Sequence, residues 1–249
     1  MIACGYISYL GPFNMKYRNK IVKEMWIPKI QEKEIFVNEN FNLVELFGNP
    51  VEIQEWNLCG LPFDSVSTEN VIIEKYTDNY PLIIDPQKQF YKFIKNFWKK
   101  KSHENRKTFY MTKMKKGVQP MLEMAVRNGE VFILENVGEK IDPLFDSILR
   151  RDIIRTGGFD CYTVGTQLIE LDPKFNLFLI SNLSTPHYTP ELLAKVVLLD
   201  FTITLEGLRE QMLSLVCRIE EPKDEDEKVK IMIENTENKA KQKQIEQKI

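Results

Sequence analysis

The chain has 249 residues, of which 43% are hydrophobic, 11% aromatic and 28% charged, and 34 basic against 36 acidic residues leave a formal charge of −2. Such usage excludes a disordered, collagen-like or disulfide-scaffold chain, and the near-neutral balance gives no bulk charge with which to recruit nucleic acid or an acidic membrane. Cys4, Cys59, Cys161 and Cys217 have no C-x-x-C spacing and read as reduced thiols, His103 and His187 are too far apart to pair on a metal, no apolar run nears the ~18 residues of a membrane span, and no secretory-signal pattern opens the chain.

Residues 1–79 scatter Phe13, Trp26, Phe36, Phe41, Phe47 and Trp56 among polar residues. From Tyr80 the pattern becomes a strand–helix alternation. Tyr80-Pro-Leu-Ile-Ile84 is a short apolar run of the kind that fills a buried parallel strand, and Phe90, Phe93, Ile94 and Phe97 follow at helical spacing. Met121 to Val126 continue as a helix stopped by Asn128-Gly129, and Val131-Phe-Ile-Leu134 is a second strand. Asp142-Pro143 reads as an N-cap followed by proline at the first helical position, opening Leu144 to Leu149. A hairpin is expected over Phe159–Leu171 with its turn at Gly165-Thr166, then a third buried strand over Phe175–Ile180. Thr189-Pro190-Glu191 repeats the cap-plus-proline signature, and Val196–Leu199 is a fourth strand. Residues 204–219 form the clearest helix, with Thr204 as cap and Leu205, Leu208, Met212, Leu215, Val216 and Ile219 on one face. The tail 222–249 balances acids and bases without a heptad and is expected as a long, mostly solvated helix that breaks off mid-pattern.

Four apolar strands separated by helices predict an α/β fold with a parallel sheet covered on both faces, whose ligands would sit at the carboxyl ends of the strands. That layout is the one used by P-loop nucleotide hydrolases, so the strand ends can be tested for phosphate chemistry. A phosphate cradle needs G-x-x-x-x-G-K-[ST]: glycines to wrap the backbone, lysine for the terminal phosphates and a hydroxyl for magnesium. Here the loop is Asp85-Pro86-Gln87-Lys88-Gln89-Phe90-Tyr91, without glycine, without a Lys-Ser or Lys-Thr pair, with one N–H removed by Pro86 and a carboxylate at Asp85. Losing two charge-assisted phosphate contacts costs about 3–6 kcal/mol, roughly two to four decades of affinity. The second strand ends in Glu135-Asn136. Glu135 could still approach a metal, but Asn136 does not titrate and cannot serve as a base. The third strand ends in Ser181-Asn182, where the Asn182 side chain could sense a γ-phosphate or simply end the strand in a polar turn.

The strings Gly60-Leu-Pro-Phe-Asp-Ser-Val-Ser-Thr-Glu-Asn70, Tyr80-Pro-Leu-Ile-Ile-Asp-Pro-Gln87, Leu134-Glu-Asn-Val-Gly138, Pro186-His-Tyr-Thr-Pro-Glu191, Asp200-Phe-Thr-Ile-Thr204 with Glu206-Gly-Leu208, and Glu234-Asn-Thr-Glu-Asn-Lys239 resemble the fifth AAA+ module of dynein heavy chains, on the axonemal side of that family. The resemblance implies an AAA+ sheet with flanking helices, in a ring of modules built from one chain, whose fifth member lacks a working nucleotide site and makes or breaks no bond. It implies an entry segment over 1–79 that includes the return from the microtubule-binding stalk (Gly5–Pro12), a large α/β subdomain over 80–203 and a helical segment over 204–249. Beyond about Glu221 that segment would begin the strut that props the stalk. No cofactor or metal is implied for the module. The partners implied are the neighbouring AAA+ modules, the stalk coiled coil through the strut and, through the parent complex, microtubules and the dynein intermediate and light chains, at the cytoskeleton and the axoneme of a cilium or in the cytoplasm. Lys195 stands at the arginine-finger position, but an ammonium lacks the planar fork of guanidinium. Lys88 and Phe90 replace small residues the resemblance would place in the loop. The basic stretch Lys99-Lys-Lys101, Arg106-Lys107, Lys113, Lys115-Lys116 reads as a solvated loop and strand edge, with contact to an acidic partner as its functional alternative. Two other functions fit the same residues less well: a free-standing interaction scaffold, and a P-loop ATPase with an unusual nucleotide loop.

Overall fold

The computed structural model describes residues 1–105 and 108–221, with single positions 227, 230, 231, 234 and 238. Arg106, Lys107 and, those positions aside, the predicted strut helix and its Glu234–Lys239 motif lie outside the described residues.

The first zone is helical: α1 (Ile2–Tyr9), α2 (Met15–Lys20), a π-helical stretch (Ile21–Trp26), α3 (Ile27–Gln31), α4 (Leu43–Phe47), α5 (Pro50–Leu58) and α6 (Ser65–Tyr76). Four of its polar residues are helix caps. Asn14, Asn42, Asn49 and Asp64 each accept a backbone N–H of the turn they open, which fixes short helices that propensity alone would not hold. Pro28 has no N–H for the carbonyl four residues back, and the wide π turn ends against it.

The second zone carries β1 (Tyr80–Ile84), α7 (Gln89–Asn105), β2 (Phe109–Lys113), α8 (Val118–Asn128), β3 (Val131–Glu135), a 3₁₀ turn (Pro143–Phe145) running into α9 (Asp146–Arg150), β4 (Ile154–Thr156), β5 (Phe159–Val164), β6 (Gln167–Glu170), β7 (Asn176–Ser181), α10 (Pro190–Leu193), β8 (Val196–Asp200) and α11 (Leu205–Glu220). Five strands pair in parallel in the order β2-β3-β7-β1-β8, which is the AAA+ type of α/β sheet the sequence predicts. The four apolar runs are all strands of it. The fifth, β2, falls in the basic stretch, where the short Phe109-Tyr-Met111 run gives way to Thr112 and Lys113. As an edge strand it has one neighbour among the described strands, so it tolerates the exposed Lys113.

Alternation along the strands divides the core between the sheet's faces. Ile83, Ile133, Phe178, Ile180 and Leu199 face Ile72, Ile73, Phe90 and Phe93, while Leu82, Phe132, Leu134, Leu177 and Leu179 face Leu122, Val126, Phe145 and Ile148. Each fully buried aliphatic or aromatic side chain contributes about 1.5–3 kcal/mol relative to exposure. The predicted hairpin is β5–β6, pairing Val164 with Gln167 across Gly165-Thr166, and Gly165 has the positive φ of +61° that this tight turn needs. Asp142 caps as expected, accepting from Leu144 N at 2.9 Å, although the helix it opens starts as the 3₁₀ turn. Thr189 stands at the N-cap of α10 but its side chain makes no capping bond. Thr204 caps α11, accepting from Gly207 N at 3.0 Å, and the predicted apolar face of α11 is 42–73% exposed from Leu205 to Ile219.

Candidate functional site

The loop after β1 is built around Asp85. Its residue is fully buried, and its backbone N–H donates to Ser181 O of the neighbouring β7 at 2.8 Å. Its carboxylate turns toward the start of α7, where Oδ1 accepts from Gln89 N at 2.7 Å and Oδ2 from Tyr91 N at 2.8 Å. A helix N-terminus is where a phosphate would be cradled, because its first N–H groups have no intrahelical partner. Here the chain's own carboxylate takes those donors. Burial pushes the Asp85 carboxyl up, opposed by the backbone N–H groups of Lys88 to Tyr91 that favour its charged form. Lys88 takes a φ of +59° to make the turn and points to solvent. Phe90 is buried against Phe93, Phe178 and Phe201, with ring centroids 5.7, 6.3 and 4.7 Å away. An aromatic ring thus anchors the loop where a phosphate loop would keep small residues.

At the end of β3, Glu135 lies between Lys113 and Ile180 in register, and Asn136 turns out at a φ of +57°. Asn182 Nδ2 donates to Asn136 Oδ1 at 3.3 Å. The sheet therefore gathers residues 85–91, Glu135, Asn136 and Asn182 at the carboxyl ends of its central strands, as the strand-end rule predicts. Lys195 is not among them. It immediately precedes β8, at the amino ends of the strands, where its Nζ bonds Asp146 at 2.8 Å and Glu191 at 2.9 Å. Those two hydrogen bonds lead the causes that hold the lysine above its ordinary pKa. Both acids are partly exposed, so Lys195→Ala is expected to cost less than about 1 kcal/mol in a urea melt.

A family model described as the ATP-binding dynein motor region matches residues 54–249. The chain belongs to the dynein heavy-chain motor-region family. It is 34% identical over 249 residues to dynein axonemal heavy chain 2 of Mus musculus, and 36% identical over 248 residues to dynein axonemal heavy chain 6 of Homo sapiens. To dynein axonemal heavy chain 11 of Sus scrofa it is 36% identical over 242 residues. These alignments take in 97–100% of this chain but only 5–6% of the relatives' length.

The dynein-family module also holds polar structure that the sequence reading missed. Arg18, fully buried, donates from Nη1 to Glu69 Oε2 at 2.8 Å, from Nε to Phe13 O at 2.7 Å, from Nη2 to Gly11 O at 3.0 Å, and to Asn70 Oδ1. Tyr6 donates its hydroxyl to Glu69 Oε2 at 2.6 Å, and burial first, then the Glu69 charge, pushes its phenol above the ordinary range. Asn70 Nδ2 donates to Asp200 O at 2.7 Å, which ties this cluster to the end of β8. Gly11 packs directly on that strand, since a Cβ there would stand 2.3 Å from Leu198 O. A single residue signals none of this. Only the presence of an arginine in one helix and Glu69-Asn70 in another could have suggested a pair.

At the amino ends of the strands, Glu74, Tyr80, Trp98, Lys101, Arg151 and Asn176 line a cleft of about 500 Å³. In the basic stretch, Lys100 pairs with Glu55 at 2.9 Å and Lys101 lies over the Phe97 ring at 4.4 Å, so both already have partners within the chain.

Proposed function

We propose that this chain is a non-catalytic AAA+ module of a dynein heavy chain, the fifth of its ring, which transmits shape change between the ring and the microtubule-binding stalk without hydrolysing nucleotide itself. The carrying observation is the Asp85 carboxylate, which takes the N–H groups of Gln89 and Tyr91 that a phosphate would need. An incoming polyphosphate would find those donors already taken, with no lysine-hydroxyl pair to draw it in. Asn136 adds the lack of a base beside Glu135. Residues 1–79 serve as the entry from the stalk, 80–203 as the sheet subdomain and 204–249 as the start of the strut side. Lys195, held by Asp146 and Glu191, supplies no finger to a neighbouring site. The parent motor would hydrolyse ATP in other modules and act on microtubules of the axoneme, and this module's partners are its ring neighbours and the stalk.

The test is a thermal melt of the chain with magnesium and ATP or ADP. The expected midpoint is unchanged. A ligand at 100 times its dissociation constant would add about 2.7 kcal/mol and raise the midpoint by several degrees, and that rise would refute the reading.

A further inference from the structure

The loop after β1 also makes bonds forward, to the segment that follows the sheet. Gln87 Oε1 accepts from Ile203 N at 3.4 Å, and Gln89 Nε2 donates to Phe201 O at 3.2 Å. Both partners are backbone groups of the connector between β8 and α11. Gln211, on α11, then donates from Nε2 to Gln89 Oε1 at 2.6 Å. Gln89 therefore holds the connector with the donor end of its amide and the helix with the acceptor end. Its own backbone N–H is fixed by Asp85. The root of α11 is seated independently: Gly207 lies close enough to Asp64 that a Cβ there would come within 3.3 Å of Asp64 Oδ2. Below the connector, Asp200 N donates to Gly11 O at 3.3 Å and Asp200 O accepts from Asn70.

We propose that Gln87, Gln89 and Gln211 form a nucleotide-independent tie that sets the angle at which α11 leaves the sheet. The inference rests on the reading of this loop as one that holds no nucleotide, and deepens it. Side-chain amides of the chain itself make this link between loop, connector and helix. Glutamine suits it, because one amide offers a donor and an acceptor on opposite atoms and carries no charge for salt to screen. The direction of α11 is then set by the chain's own residues and follows whatever moves the β8 connector or the helices that grip Asp200.

Hydrogen exchange on the full chain tests this. In Gln87→Leu/Gln89→Leu, amides of residues 202–208 are expected to exchange about tenfold faster, the loss of one or two neutral hydrogen bonds, while those of β1 and β7 keep their protection. Gln211→Ala changes only an exposed residue, cannot disturb the core, and is expected to give a smaller acceleration in the same segment. Unchanged exchange over 202–208 in either variant would overturn the tie. If the double variant loses protection globally, Gln211→Ala decides alone by the same criterion. Magnesium-ATP added to the wild type separates the two ideas: added protection at Gln89 and Tyr91 would refute the reading of an empty loop, whereas the variants speak to the tie alone.

Discussion

Replacing Arg18 with methionine is expected to lower folding stability by about 3–5 kcal/mol, a large share of the 5–15 kcal/mol typical of a domain. The guanidinium is fully buried and uses all three of its nitrogens. Removing it leaves the buried Glu69 carboxylate, among the described residues, with the Tyr6 hydroxyl alone, and strips donors from the carbonyls of Gly11 and Phe13. An uncompensated buried charge costs far more than a lost neutral hydrogen bond. The control is Arg18→Met combined with Glu69→Met. With no charge left unpaired, the double variant should recover much of the loss, because the desolvation of a buried ion pair nearly cancels its attraction. Urea midpoints check both. A single variant within about 1 kcal/mol of wild type would show that the cluster does not hold the first helices to α6.

The second large effect is a pH dependence centred on Glu74. Burial at the edge of the cleft pushes its carboxyl up from 4.5 to about 7, against the lowering influence of Lys75, Asn176 and Lys101. Between about 4.5 and 7 the folded chain keeps a proton that the unfolded chain has released. Glu74 therefore subtracts from stability increasingly as pH rises through that window, and the loss is complete above it. Glu74→Gln carries no such proton. Its stability relative to wild type is expected to rise by about 2–3 kcal/mol between pH 4 and pH 8. Urea melts at the two pH values measure the difference, and a flat difference would mean that the carboxyl is solvated in the folded chain.

How much could be read in advance differs from element to element. The runs at Tyr80, Val131, Phe175 and Val196 were legible because a strand buried on both faces must be apolar throughout. β2 was not, since an edge strand between lysines carries no such requirement. The loop at Asp85–Tyr91 was legible as chemistry: a phosphate cradle demands glycine, lysine and a hydroxyl, and their absence shows in the letters alone. That Asp85 would turn inward and satisfy Gln89 and Tyr91 was not legible, because a carboxylate after a strand could equally face solvent. Gln89 illustrates the same limit, since its partner Gln211 lies 122 positions away. The helices of the first zone escaped because they are short and fixed by caps and tertiary packing more than by apolar periodicity.

The sequence by itself determined the α/β class, the strands that fill the sheet's centre and a loop after β1 without the glycine-lysine-hydroxyl motif, because each follows from residue type and local spacing. Only the tertiary structure decided the partners: Asp85 on the helix amides, glutamines on the connector, Arg18 on Glu69, burial on Glu74. Those depend on distances between residues far apart in the chain, which local pattern does not encode until the sheet and helices close around them.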